Sequence, residues 1–86
     1  MAIEVYWVEM TERGETTAFD TMQGMFATAK EAIKEATMHW NHLTERERKQ
    51  QTASVCGFES DSADTLLDAW HEAMDSGCWD EIKTFE

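Results

Sequence analysis

The sequence predicts an α+β fold, a small two-layer ββαβα domain with two main helices packed on a three- or four-stranded, mainly antiparallel sheet. Three observations lead there. Ile3 to Met10 (IEVYWVEM) is dense in β-branched and aromatic residues, the composition of a strand. Two later stretches, beginning at Thr28 and near Asp61, repeat apolar residues at helical spacing. Between them, Thr52 to Phe58 (TASVCGF) again reads as a strand. With 86 residues the chain makes one domain, 1–86, and helices laid on one face of a small sheet are the simplest way to bury it.

Each element has a local reason. Both faces of the first strand, Ile3/Val5/Trp7 and Tyr6/Val8/Met10, are apolar, which suits a central strand or one covered on both sides. Thr11-Glu12-Arg13-Gly14 is a turn, and Glu15 to Thr21 can return as the second arm of a hairpin. Met22 to Ala27 is an irregular connection holding Gly24. Thr28-Ala29-Lys30-Glu31 is a capping box, in which hydroxyl and carboxylate satisfy the helix-start N–H groups of each other's residue. The helix behind it gathers Ala29, Ile33, Ala36, Trp40 and Leu43 on a narrow arc. Thr44-Glu45-Arg46-Glu47 repeats the box, so a new short helical turn starts there after a bend. Asp61 or Ser62 is expected to cap the next helix, with Ala63, Leu66, Leu67, Trp70 and Met74 inward and Gly77 closing it. The tail from Cys78 to Glu86 must bury Trp79, Ile82 and Phe85, as a strand or a last helical turn.

A short chain buries a small fraction of its surface, so its core has to be dense in large side chains. Four Trp, four Phe, one Tyr and six Met supply them and argue against disorder. Cys56 and Cys78 are too few for a disulfide framework and too far apart for CxxC, and the first residues lack a basic and apolar leader pattern. A cytoplasmic protein with free thiols is the expectation.

Charge is the most informative property. The chain carries a formal −11, from 18 acidic and 7 basic residues, unevenly distributed. The stretch 28–58 holds five of the seven cations against four acids, whereas 59–86 holds nine carboxylates and Lys83 alone. Such a field repels nucleic acid and anionic membrane and attracts basic surfaces in a salt-dependent way. Direct binding of nucleic acid or of a membrane is therefore excluded from the expectation. Asp64, Asp68, Glu72 and Asp75 recur at spacings of 4, 4 and 3, one stripe of the second helix. Like charges at that spacing cost a few tenths of a kcal/mol per pair, and an anion near a helix C-terminus opposes the macrodipole. A helix with a purely structural role would mix signs, so the stripe is either a solubilising face or a surface for a basic partner. Asp61, Asp80 and Glu81 extend it if the fold brings them to the same side.

Other constellations are weaker. Glu35, His39 and His42 share a helix face and could offer ligands to zinc, but no HExxH or cysteine pair completes the set. The bland reading is surface histidines, and no metal or cofactor is expected. No GxSxG, Walker loop or GxGxxG is present, and Cys56 within a strand reads as a small core residue, so no enzyme is expected. Arg46, Arg48 and Lys49 form the basic cluster, expected to pair with Glu45 and Glu47 or with a second copy.

The segment Glu31 to Lys49, with Trp40-Asn41-His42-Leu43-Thr44 followed by Glu45-Arg46-Glu47-Arg48-Lys49, resembles a recurring piece of small proteins from Gram-positive phages and conjugative mobile elements. There a strand or hairpin precedes a helix ending in WNHLT, then a charged turn and another strand. The resemblance covers 3–58, omits the acidic second helix and carries over no site residues. It implies a mobile-element origin. Small acidic proteins of that origin often inhibit host nucleic-acid enzymes, anti-CRISPR proteins among them, a likeness of kind rather than of motif.

The functional expectation is a non-enzymatic acidic binding protein that acts as a nucleic-acid mimic. It would inhibit a nucleic-acid-handling protein by occluding its basic groove with Asp61, Asp64, Asp68, Glu72, Asp75, Asp80 and Glu81. The alternative is a small structural or regulatory homodimer, its charge serving solubility and Trp79 and Phe85 forming the contact.

Overall fold

The computed structural model describes residues 2–15, 20–21 and 24–86. In chain order the elements are β1 (Ile3–Glu12), β2 (Asp20–Thr21), α1 (Ala29–His42), α2 (Glu45–Gln50), β3 (Gln51–Ser60), α3 (Leu66–Ser76) and β4 (Asp80–Phe85). The α+β class is therefore present, with a separate α2 and a terminal strand added to ββαβα. The expected returning arm survives as β2, opposite Glu9 and Met10; 16–19 of that arm and 22–23 of the connection lie outside the described residues.

The sheet has the order β2-β1-β3-β4 with antiparallel pairing throughout. Its centre is the β1–β3 ladder, in register from Ile3 opposite Ser60 to Glu12 opposite Gln51. This pairing puts the two most apolar strands side by side. β4 runs along the outer edge of β3, and Ile82 falls unpaired where the register shifts, a bulge of the kind that twists an edge away from stray pairing. At the opposite edge, Tyr6 and Phe26 exchange two backbone hydrogen bonds of 2.9 Å.

The helices lie on opposite faces of the sheet, which corrects the expectation of two layers. Val5, Trp7 and Cys56 point to one face and pack against Ala69 and Ala73 of α3. Val8 and Val55 point to the other and pack against Ala32 and Ala36 of α1. Side chains alternate along a strand, so consecutive residues such as Val55 and Cys56 must serve different layers. With both faces of β1 apolar, one helical layer would have left the other face wet. Alanines at the contacts let both helices approach closely. Trp7, Val5, Val8 and Val55 are fully buried, and Met10 is nearly so.

Caps fix the helix boundaries. Thr28 Oγ1 accepts from the Glu31 N–H and donates to the Glu31 carboxylate, so the box expected there is half formed. At α2 it is complete: Thr44 Oγ1 accepts from the Glu47 N–H and the Glu47 carboxylate accepts from the Thr44 N–H. Those hydrogen bonds hold the Glu47 carboxyl below its usual range. For α3 the cap is Thr65, which accepts from the Asp68 N–H, rather than Asp61 or Ser62. The preceding turn is held by Ser60, whose buried hydroxyl accepts from the N–H groups of Ser62 and Ala63. Gly77 ends α3 at φ 69°, the left-handed region glycine enters without penalty. Among the described residues no helix is long and apolar enough to cross a membrane.

Candidate acidic interaction site

Where the cations lie decides which carboxylates are left free. Arg48 donates from Nε to the Trp40 carbonyl at 3.1 Å and from the guanidinium to the Asn41 carbonyl at 3.3 Å, satisfying the last turn of α1. Its guanidinium also lies 5.9 Å from the Trp40 ring centre. Arg13, at the end of β1, donates twice to the Arg48 carbonyl, at 2.8 and 3.2 Å. Lys49 meets Glu45 at 3.9 Å, both side chains well exposed, and this is the ion pair found among the described residues. Lys83 lies 5.1 Å from the Phe85 ring. The basic cluster expected to pair with Glu45 and Glu47 thus does so through Lys49 alone, while Arg48 serves a helix end.

The expected acidic stripe divides. Asp64 precedes the Thr65 cap and so lies outside α3. Glu72 is half-buried and turned toward β3, accepting from the hydroxyls of Ser60 at 2.7 Å and Ser62 at 3.0 Å. It clasps the helix to the strand end and is a structural carboxylate. Asp68 and Asp75 remain on the outer flank of α3, exposed, with Asp61 and Asp64 exposed on the loop before it. Asp80 and Glu81 are both exposed but leave β4 toward opposite faces. Asp80 is opposite Gly57 beside Tyr6 on the α1 side, and Glu81 is opposite Cys56 on the α3 side.

Each sheet face is covered by its helix over only part of its length, and the remainder is polar. On the α1 side, Glu4 stands directly across from Glu59, with Asp80 close by and the Tyr6 ring resting on Gly57. A Cβ at position 57 would fall 2.7 Å from the Tyr6 ring, so only glycine fits that approach. Burial and the two glutamates raise the Tyr6 phenol above its ordinary pKa. On the α3 side, beyond Trp7, the pattern turns to Glu9 and Thr11 on β1, Thr52 and Ser54 on β3, and Glu81 and Thr84 on β4. These line a depression of about 400 Å³ whose wall includes Trp79. Trp7 Nε1 donates to Glu9 at 3.1 Å, and the Thr84 hydroxyl donates to Glu81. Cys56 lies at the floor, 2% exposed, and burial together with Glu9 and Glu81 pushes its thiol up to about 12. It is thus protonated and inert at neutral pH.

Glu9 was not among the sequence candidates. The signal available for it was the change from apolar to polar at alternate positions, Val5-Trp7-Glu9-Thr11, mirrored by Thr52-Ser54 before Cys56.

Glu35, His39 and His42 lie along α1, and no group of three or more His, Cys, Asp or Glu comes together to hold a metal ion among the described residues. Trp79 packs edge-on against Trp7 at 5.5 Å, whereas Phe85 packs against Trp40 at 6.0 Å on the other face. The two aromatics assigned to a dimer contact are therefore partly buried in separate cores and form no common patch. Compared with protein-family models, curated proteins and solved structures, the chain finds no match.

Proposed function

We propose that the protein is a non-enzymatic acidic binding protein that occupies the basic groove of a nucleic-acid-handling protein and thereby inhibits it. The mode is anti-CRISPR-like, consistent with the mobile-element origin its WNHLT segment suggests. The observation supporting this is the separation of charge. Arg13 and Arg48 are tied to backbone carbonyls near the ends of α1 and α2, while Asp61, Asp64, Asp68, Asp75 and Glu81 stand exposed and without ion pairs among the described residues.

Dimensions set how such mimicry works. The body measures 43 × 23 × 17 Å. A duplex of that length carries roughly 25 phosphate charges at one per ~1.7 Å, more than twice the chain's −11. Charge density alone cannot outcompete nucleic acid, so occlusion rests on the bulk of the body and on local contacts as much as on the field.

The test is capture of partners from a Gram-positive bacterial lysate at low and high salt, using wild-type protein and the Asp68→Lys/Asp75→Lys double variant. Glu72 is left alone because it anchors Ser60. A nucleic-acid-binding protein retained at low salt, released at high salt and lost with the variant supports the proposal. Retention that ignores both salt and variant refutes it.

A further inference from the structure

Resting on that reading, we propose that the open half of the sheet on the α3 side is the docking surface for an arginine side chain of the protein partner, received between Glu9 and Glu81 and against Trp79. The surface is a depression of about 400 Å³ formed by three strands, not a row of charges on one helix. Glu9 and Glu81 project from β1 and β4 on either side of β3, because Trp7 and Glu81 are both partners of Cys56 and Glu9 follows on the same face.

Both carboxylates are already oriented. Glu9 is held by the Trp7 indole N–H and Glu81 by the Thr84 hydroxyl, so little side-chain freedom is lost when a guest arrives. Neither has a cation within ion-pair distance among the described residues. The floor adds no positive charge, since it consists of the hydroxyls of Thr52 and Ser54 and the neutral Cys56 thiol. A cationic guest therefore meets two carboxylates and no competing cation among the described residues. Guanidinium fits better than ammonium for two reasons. Its planar fork can donate to two carboxylates at once, and its weakly hydrated face can lie against an indole.

The probe is a blocked tetra-arginine peptide, followed by amide chemical-shift mapping of the whole chain at low salt, with tetra-lysine for comparison. Saturable shifts at Glu9, Ser54, Glu81 and Thr84 are expected. Glu81→Gln, on an exposed edge strand, should weaken binding roughly tenfold, as should Glu9→Gln, which keeps an acceptor for Trp7. Asp68→Asn/Asp75→Asn, outside the depression and serving the wider contact with a whole groove, should change binding of this short peptide less than twofold, and tetra-lysine should bind several-fold more weakly. If the shifts map to α3 and Glu81→Gln binds like wild type, the docking surface is wrong while the acidic-binder reading stands. If tetra-lysine binds as tightly, the arginine assignment falls. If tetra-arginine leaves the spectrum unchanged, this inference is refuted, while the acidic-binder reading stands or falls with the salt-dependent capture.

Discussion

The two main helices spend charge in opposite ways. α1 mixes signs, opens on Thr28 with Glu31 in its first turn, and closes with His39, His42 and the guanidinium of Arg48 against its last carbonyls. Every one of those groups suits the helix dipole. α3 has Asp68 at its start, no basic residue in its last turn, and Asp75 close to that end. Its C-terminus relies on Gly77 and backbone geometry instead. At the ends of α1 the charges build structure, with Lys30, Lys34 and Glu35 exposed between them; on α3 all but Glu72 are left to the solvent. A region that carries anions at some expense to its own helix is the better place to look for recognition, and that difference underlies the proposed function.

The contrast can be broken at its strongest point, the clasp between α3 and β3. Ser60 is 1% exposed, donates to Glu72 and accepts two N–H groups. Ser60→Ala strands those partners and should cost about 2–3 kcal/mol in denaturant unfolding. Asp68→Asn, at an exposed side chain for which no hydrogen bond or ion pair is found among the described residues, should cost less than about 0.5 kcal/mol. Equal effects would mean that Glu72 is no more structural than its neighbours.

Next in size is a pH effect on the α3 side. The Cys56 thiol is raised to about 12, so the folded chain keeps its proton where the unfolded chain, at about 8.5, has lost it. Stability should therefore fall as pH rises above about 8.5, by up to ~1.4 kcal/mol per unit, and Cys56→Ala should remove that slope. Unfolding midpoints measured from pH 8 to 10 check it. Alkylation of the native protein should modify the exposed Cys78 and spare Cys56.

On the α1 side, Arg48→Ala removes two carbonyl contacts and the approach to Trp40, with an expected loss of about 1–2 kcal/mol. Arg46→Ala, on the exposed neighbour, should be close to neutral. The smallest effect sharpens the comparison most. Asp75→Lys should stabilise the protein by about 0.3–1 kcal/mol, and Asp68→Lys should destabilise it by a similar amount, because the same charge change meets opposite ends of one helix dipole. Thermal melts at low salt check the signs, and added salt should shrink both.

Much of this molecule could be read from local sequence. β1, the helix from Ala29, the bend and restart at Thr44, and the stop at Gly77 each depend on a few neighbouring residues. Hydroxyl caps, a left-handed glycine and apolar spacing act within one turn, so they need no tertiary information. The start of α3 was misplaced because Asp61, Ser62 and Thr65 are all competent caps, and Ser60 decided among them by holding the 62–63 turn. The candidate site was legible only in outline. Helical spacing put Glu72 in the acidic stripe, and nothing local marked its hydroxyl donors on β3. Nor could spacing along the chain join Glu9 to Glu81, which meet through two strand registers.

By itself, then, the sequence determined the class of fold, most element boundaries and the segregation of negative charge into the last third. Those follow from backbone preferences and composition. Tertiary structure alone decided that the helices lie on opposite faces, that Asp80 and Glu81 part company, and that a polar depression opens beside Trp79. The physical reason is strand alternation combined with register: each residue's face is set by its parity, and its neighbours by a pairing between segments far apart in the chain.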